Sequence, residues 1–121
     1  HLQGFDQLQY NEPYLVICSS LKDAMCLKSF GYNVEVIAPD SENTVIKPYI
    51  IQNLKSKYKK VITLFDNDAA GVNAISKYKQ MFDIKGCRLT LSKDISDAVS
   101  NYGFDKVHHE LKQLLIETLR S

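Results

Sequence analysis

The chain has 121 residues, 45% of them hydrophobic, and a formal net charge of +1. That length suits one domain, and that apolar share supports a packed core and excludes a disordered chain. So small a net charge excludes a strongly polybasic chain, so contact with a polyanion must come from a local patch or from metal ions. No apolar run nears the roughly 18 residues of a membrane span, and no signal-peptide pattern opens the chain. Cys18, Cys26 and Cys87 show no metal-ligand spacing and sit among apolar neighbours. They read as buried reduced thiols, and a cytoplasmic protein is expected. The first residue is His1 rather than Met, so a piece of a longer protein is expected.

In chain order, residues 1–13 are a polar lead-in with Gly4 and Pro13, and residues 14–121 form the domain. Tyr14 to Cys18 is a continuous apolar run, the pattern of a strand buried on both faces. Ser19 and Ser20 stop it. A helix from Leu21 to Phe30 follows, with Ala24, Met25 and Leu27 toward the sheet, a capping box on Ser20 and Asp23, and Gly31 as the stop. Val34 to Ala38 is a second strand, closed by Pro39, and Ser41 to Thr44 is a polar loop. Pro48 fits the first turn of a second helix, whose Ile50, Ile51, Leu54 and Tyr58 form one stripe.

Val61 to Phe65 is the third strand. After Asp66, Asn67 and Asp68 comes the clearest helix, with Gly71, Ala74, Ile75, Tyr78, Met81 and Phe82 at three- and four-residue steps and Gly86 as its breaker. Cys87 to Leu91 reads as a short fourth strand. A polar turn from Lys93 to Asp97 leads into a short helix ending at Tyr102 and Gly103. Asp105 to Leu119 is an amphipathic helix with Val107, Leu111, Leu114, Leu115 and Thr118 on one side. Strands alternating with helices predict an α/β fold of three layers, with about four strands, mainly parallel, flanked by helices. Lys55, Lys57, Lys59 and Lys60 form either a solvated helix end or a nucleic-acid patch. His108 and His109, among Lys and Glu, read as surface residues.

In such a sheet, ligands bind beyond the carboxyl ends of the strands. Three polar clusters fall there: Ser19, Ser20 and Asp23; Asp66, Asn67 and Asp68; and Asp94 with Asp97. Asp66 and Asp68, one residue apart, can reach one small space. Two carboxylates about 4 Å apart repel by roughly 4 kcal/mol at an effective dielectric of about 20, so a proton or a cation must fill the gap. Alternatively, Asp68 caps the next helix and Asp66 is a loop charge. Asp23 can be spent wholly in the capping box, and Asp94 and Asp97 in capping a short helix. Spacing alone leaves these readings open. There is neither a P-loop nor a G-x-G-x-x-G pattern.

Ile17 to Ala24, Leu64 to Gly71 and Lys93 to Asp97 resemble, in that order, the three motifs of the Toprim family. That metal-binding domain is shared by bacterial and phage primases, topoisomerases, OLD-type nucleases and recombination proteins. The resemblance spans Tyr14 to Gly103. Its most specific part is Asp66-x-Asp68-x-Ala70-Gly71 after a hydrophobic strand, close to the primase form, and Gly4 to Leu8 resembles the lead-in of some phage and mobile-element primases. The family's first motif normally opens with glutamate and glycine, and Ser19 and Ser20 stand in those places. A serine hydroxyl does not carry charge near neutral pH.

The resemblance implies a Toprim (Rossmann-like) fold and, as activity, Mg²⁺- or Mn²⁺-dependent nucleotidyl transfer for primer synthesis in DNA replication. It implies catalytic roles for Asp66, Asp68 and Asp23 and metal ligation by Asp66, Asp68 and Asp94. Ser19, Asp97, Lys22 and Lys93 are further candidates. The implied partners are a DNA template, nucleoside triphosphates, other domains of a parent protein and a replicative helicase. Two alternatives stay open: a Toprim nuclease, and a catalytically degenerate domain that binds nucleic acid or a partner.

Overall fold

The computed structural model describes residues 2–3, 12–39 and 45–120. The expected polar loop at 41–44 and most of the lead-in lie outside them. The elements are β1 (Leu2–Gln3), β2 (Tyr14–Cys18), α1 (Leu21–Ser29), β3 (Val34–Pro39), α2 (Pro48–Lys57), β4 (Lys60–Leu64), α3 (Ala69–Phe82), β5 (Gly86–Cys87), α4 (Ile95–Tyr102) and α5 (Phe104–Arg120). They form one sheet in the order β1-β3-β2-β4-β5. Four strands are parallel, as the alternation of strands and helices predicts, and β1 adds an antiparallel edge pair, Leu2 to Pro39 and Gln3 to Ala38. Val16 lies between Val36 and Ile62 in the centre of the sheet.

Side chains alternate across the strands and so feed two cores. Val16, Cys18, Val36, Ile62 and Leu64 pack on one face against Ala24 and Leu27 of α1, Ile95 and Ala98 of α4, and Val107, Leu111 and Leu115 of α5. Leu15, Ile17, Ile37, Val61 and Phe65 pack on the other against Ile51 and Leu54 of α2 and Ala74 and Tyr78 of α3. The outcome is three layers. Met25 and Met81, expected on core faces, are 40% and 55% exposed. Ala24 and Leu27 fill the α1 face without Met25, and Ala74 and Tyr78 fill the α3 face without Met81.

Three other expectations are corrected. Helix α3 ends before Gly86, at Asp83, which takes the left-handed conformation at φ 55° and donates its N–H to Lys79. Short polar side chains tolerate that region better than others. Gly86 instead lies in β5, where a Cβ would stand 2.7 Å from Ile75 Cγ2 and closer still to Thr63 Oγ1. The fourth strand covers two residues rather than Cys87 to Leu91, because its partner β4 stops at Leu64, paired with Cys87. His108 is half-buried rather than on the surface. Its ring stacks on Tyr32 at 5.3 Å, beside Phe30 and Phe104, whose own rings stack at 4.4 Å. The Tyr32 hydroxyl donates to the His108 carbonyl at 3.0 Å and lies 2.9 Å from its Nδ1, and burial pushes the phenol up to about 12. Cys18 is buried and Cys26 and Cys87 are half-buried, all as free thiols, and burial raises all three.

Thr63, fully buried on β4, has a hydroxyl that meets no hydrogen-bond partner among the described residues. An unsatisfied buried hydroxyl costs about 1–3 kcal/mol. Thr63→Val keeps the shape and removes that cost, so it should raise unfolding free energy by about 1 kcal/mol, read by urea titration.

Candidate metal centre

Strand β2 leads through α1 to β3 on one side, and the chain then crosses back to place β4 on the other side of β2. This reversal opens a crevice between the carboxyl ends of β2 and β4, the place where open parallel sheets take ligands. The turns after β2 and β4 meet there, joined by the turn that leads into α4.

Each turn is fixed by local bonds. After β2, the buried Ser19 accepts from the Asp66 N–H at 2.7 Å, which ties the two strand ends together. Ser20 caps α1 by accepting from the Asp23 N–H at 3.2 Å. That is half of the expected capping box. The Asp23 carboxylate turns away from the helix end and accepts from the Ser96 hydroxyl at 3.2 Å and its N–H at 3.4 Å. After β4, Asn67 N–H donates to the Lys93 carbonyl at 2.7 Å, which brings in the third turn. Asp94 caps α4 by accepting from the Asp97 N–H at 2.8 Å.

The consequence is a cluster of Asp23, Asp66 and Asp94, each offering an oxygen within 4.8 Å of the others. Asp23 is buried, while Asp66 and Asp94 are half-buried. Burial first, and then the neighbouring Asp94, raise the Asp23 carboxyl above its ordinary value, and the Ser96 bonds offset this only in part. Three carboxylates converging in a partly desolvated crevice need a proton or a cation. All the donors are hard oxygens, which fits a hard divalent ion such as Mg²⁺, whose ligands opposite one another lie about 4.2 Å apart.

The gathered triad differs from the expected ligands Asp66, Asp68 and Asp94. Asp68 stands outside it as the N-cap of α3, accepting from Gly71 N–H at 2.8 Å, with its other oxygen 3.7 Å from Lys93 Nζ. Asp97 and Lys22 are exposed. Asp97 serves α4 through its main chain. Ser96 is not among the residues that the sequence singles out. Its hydroxyl and N–H hold Asp23 in the cluster, and no spacing rule would have announced that. Gly71 has a physical reason too. A Cβ there would lie 2.8 Å from the Asp66 carbonyl carbon and closer still to its oxygen, so only glycine lets α3 start against the Asp66 main chain.

The family model described as Toprim-like matches residues 16–100, a span that holds all three turns. The chain belongs to the Toprim-like family. No curated protein matches it. Among solved structures, this Toprim-like chain is similar to the primase fragment of the bacteriophage T7 primase-helicase protein, with a TM-score of 0.70 and 17% identity, over 91% of this chain and 48% of that one. It is also similar to the Aquifex aeolicus primase comprising zinc-binding and RNA polymerase domains, at 0.65 and 20%, over 88% of this chain and 26% of that one. A third likeness is to a bacteriophage T7 lagging-strand DNA polymerase structure with primase domains, at 0.59 and 14%, over 85% and 53%. The chain thus spans between about a quarter and a half of those chains, and at such identities the likeness is one of fold.

Proposed function

We propose that this Toprim-like chain is the metal-binding domain of a longer primase-like protein, of phage or mobile-element type, that joins ribonucleotides into primers during DNA replication. The observation that carries the reading is the convergence of Asp23, Asp66 and Asp94 from three separate turns, in a fold shared with primase fragments. Mg²⁺ or Mn²⁺ held there would bind nucleotide phosphates and neutralise charge as the phosphoryl group transfers. Asp23, Asp66 and Asp94 hold the ion. Ser19 and Ser96 position two of them, and Asp68 with Lys93 forms the rim. Template DNA, nucleoside triphosphates, the parent's other domains and a replicative helicase are the partners, in the cytoplasm. Among the described residues no helix is long and apolar enough to cross a membrane.

A second reading is a degenerate domain that has lost catalysis. Ser19, where relatives carry glutamate, supports it, because its hydroxyl is engaged by the Asp66 N–H. Template-directed ribonucleotide joining by the full parent protein, assayed with and without Asp66→Ala, tests the first reading. Mg²⁺-dependent primers that vanish with Asp66→Ala are expected, and the isolated chain should make none. Metal binding without primers in the full protein would favour degeneracy, and metal-dependent nicking of plasmid would favour a nuclease.

A further inference from the structure

Four parallel rings meet where α4 gives way to α5. Gly103, at φ 86°, is all that separates the two helices, so α5 opens directly on Phe104. His108 follows four residues later, on the same side of the helix, with its ring 5.9 Å from that of Phe104 and within 6° of parallel. Phe30 and Tyr32, on either side of Gly31, supply the other two rings. Phe30 stacks on Phe104 at 4.4 Å, and Tyr32 stacks on His108 at 5.3 Å. Phe104 is the outermost member. Phe30 takes one face of its ring, yet Phe104 is still 48% exposed while Phe30 is 9% exposed, so the opposite face of Phe104 is bare. The rings beneath are held in place. Phe30 belongs to the core of that face of the sheet, and the Tyr32 hydroxyl donates to the His108 carbonyl. Tyr102 does not extend the stack, because Lys106 Nζ lies 5.0 Å from its ring centroid.

The exposed residues flanking these rings in sequence, Gly31, Asn33, Asp105 and Lys112, are not apolar. One bare ring in polar surroundings falls short of the area that a stable protein interface buries. A flat π-system is the partner that gains most, since it adds one more layer to a stack already ordered, without the cost of fixing mobile side chains. Every nucleobase has such a face, and stacking on an aromatic side chain tolerates any sequence. Helix α4 carries Asp94 of the triad at its start and ends at Gly103, so its eight residues, about 12 Å of helix, lie between the carboxylates and the stack.

We propose that Phe104, backed by Phe30, Tyr32 and His108, is a stacking platform for a base of a single nucleic-acid strand, about one length of α4 from the carboxylate crevice. The choice of nucleic acid rests on the functional reading above, while the platform itself does not involve the metal. The test is therefore run in EDTA, where Asp66→Ala should bind as the unaltered protein does. Anisotropy compares a short fluorescein-labelled strand of deoxyadenosine with an abasic strand of the same length and charge. The unaltered protein should bind the abasic strand about tenfold more weakly. Phe104→Leu should weaken binding of the ordinary strand about tenfold and leave the abasic strand unchanged, because the ring and the base are lost as a pair. Phe104→Tyr should restore the difference, and Tyr49→Leu, at an exposed ring on α2, should not alter it. The abasic comparison needs no variant, so it decides the matter even if Phe104→Leu folds poorly. Equal affinity for the two strands, equal losses on both with Phe104→Leu, or no binding of either would overturn the proposal. Base-dependent binding that persists while the full parent makes no primers would remove the functional reading alone.

Discussion

Millimolar Mg²⁺ or Mn²⁺ should raise the thermal midpoint of this protein, and Asp66→Ala should abolish the gain. At a tenfold excess of ion over its dissociation constant, linkage supplies about 1.4 kcal/mol. For a domain of this size that is about 6 °C. The effect arises because the folded chain gathers Asp23, Asp66 and Asp94 and the unfolded chain does not. Burial and the neighbouring Asp94 raise the Asp23 carboxyl above its ordinary value. A raised acid means that the native state binds its proton more tightly than the unfolded state. Its contribution to stability is therefore full below the unfolded value of 3.8 and is lost as pH rises through the raised value. A cation takes the proton's place, so the metal-linked gain should grow from acid to neutral pH. Asp94→Asn keeps a capping oxygen for α4 and should still lose most of the gain. Asp68→Asn should keep it, because Asp68 caps α3 and stands outside the triad. A midpoint indifferent to the ion, or a gain that survives Asp66→Ala, would remove the site.

Gly71→Ala should destabilise the protein by about 3 kcal/mol, the upper part of the range for overpacking. In an open helix position the same change would stabilise by about 0.5–1 kcal/mol. The sign reverses here because the new Cβ would collide with the Asp66 main chain. Neither side can yield. Asp66 N–H is bonded to Ser19, and the first turn of α3 is pinned by Asp68 to Gly71 N–H. Gly31 is the instructive contrast. It has φ +80°, and a Cβ added there would meet nothing within 4 Å, so Gly31→Ala carries only the backbone cost of about 1–2 kcal/mol. Urea unfolding of the two variants checks the difference, and metal titration of Gly71→Ala should show weaker binding as well. A Gly71→Ala protein as stable as the parent would mean that α3 can move away from Asp66.

Much of the architecture was legible because its signals are periodic. Tyr14 to Cys18 is an unbroken apolar run and is buried from Leu15 onward. The three- and four-residue steps in α3 locate Gly71, Ala74 and Tyr78 on the buried face. What escaped depends on contacts distant in sequence. Nothing near Gly86 reveals that it packs on Ile75, and nothing near His108 reveals Tyr32. The same holds at the crevice. Carboxylates at strand ends could be named from the sequence, but capping does not decide which of them gather, since Asp94 caps α4 and still joins the cluster, and the sequence does not separate Asp23 from Asp68. Asp23 sits in the first turn of α1 and Asp68 just before α3, both places where helix starts commonly carry acids, so the local pattern does not separate a ligand from a helix-end charge. Only the tertiary partner Ser96 does.

Asp94 has two duties, as the cap of α4 and as a member of the triad. Fraying of the first turn of α4 therefore carries a ligand away from the crevice. An ion there makes that local opening rarer, and amide hydrogen exchange should slow at Asp97 and Ala98, whose N–H groups bond to Asp94. The short helix thus serves as a latch whose residence time reports occupancy of the site.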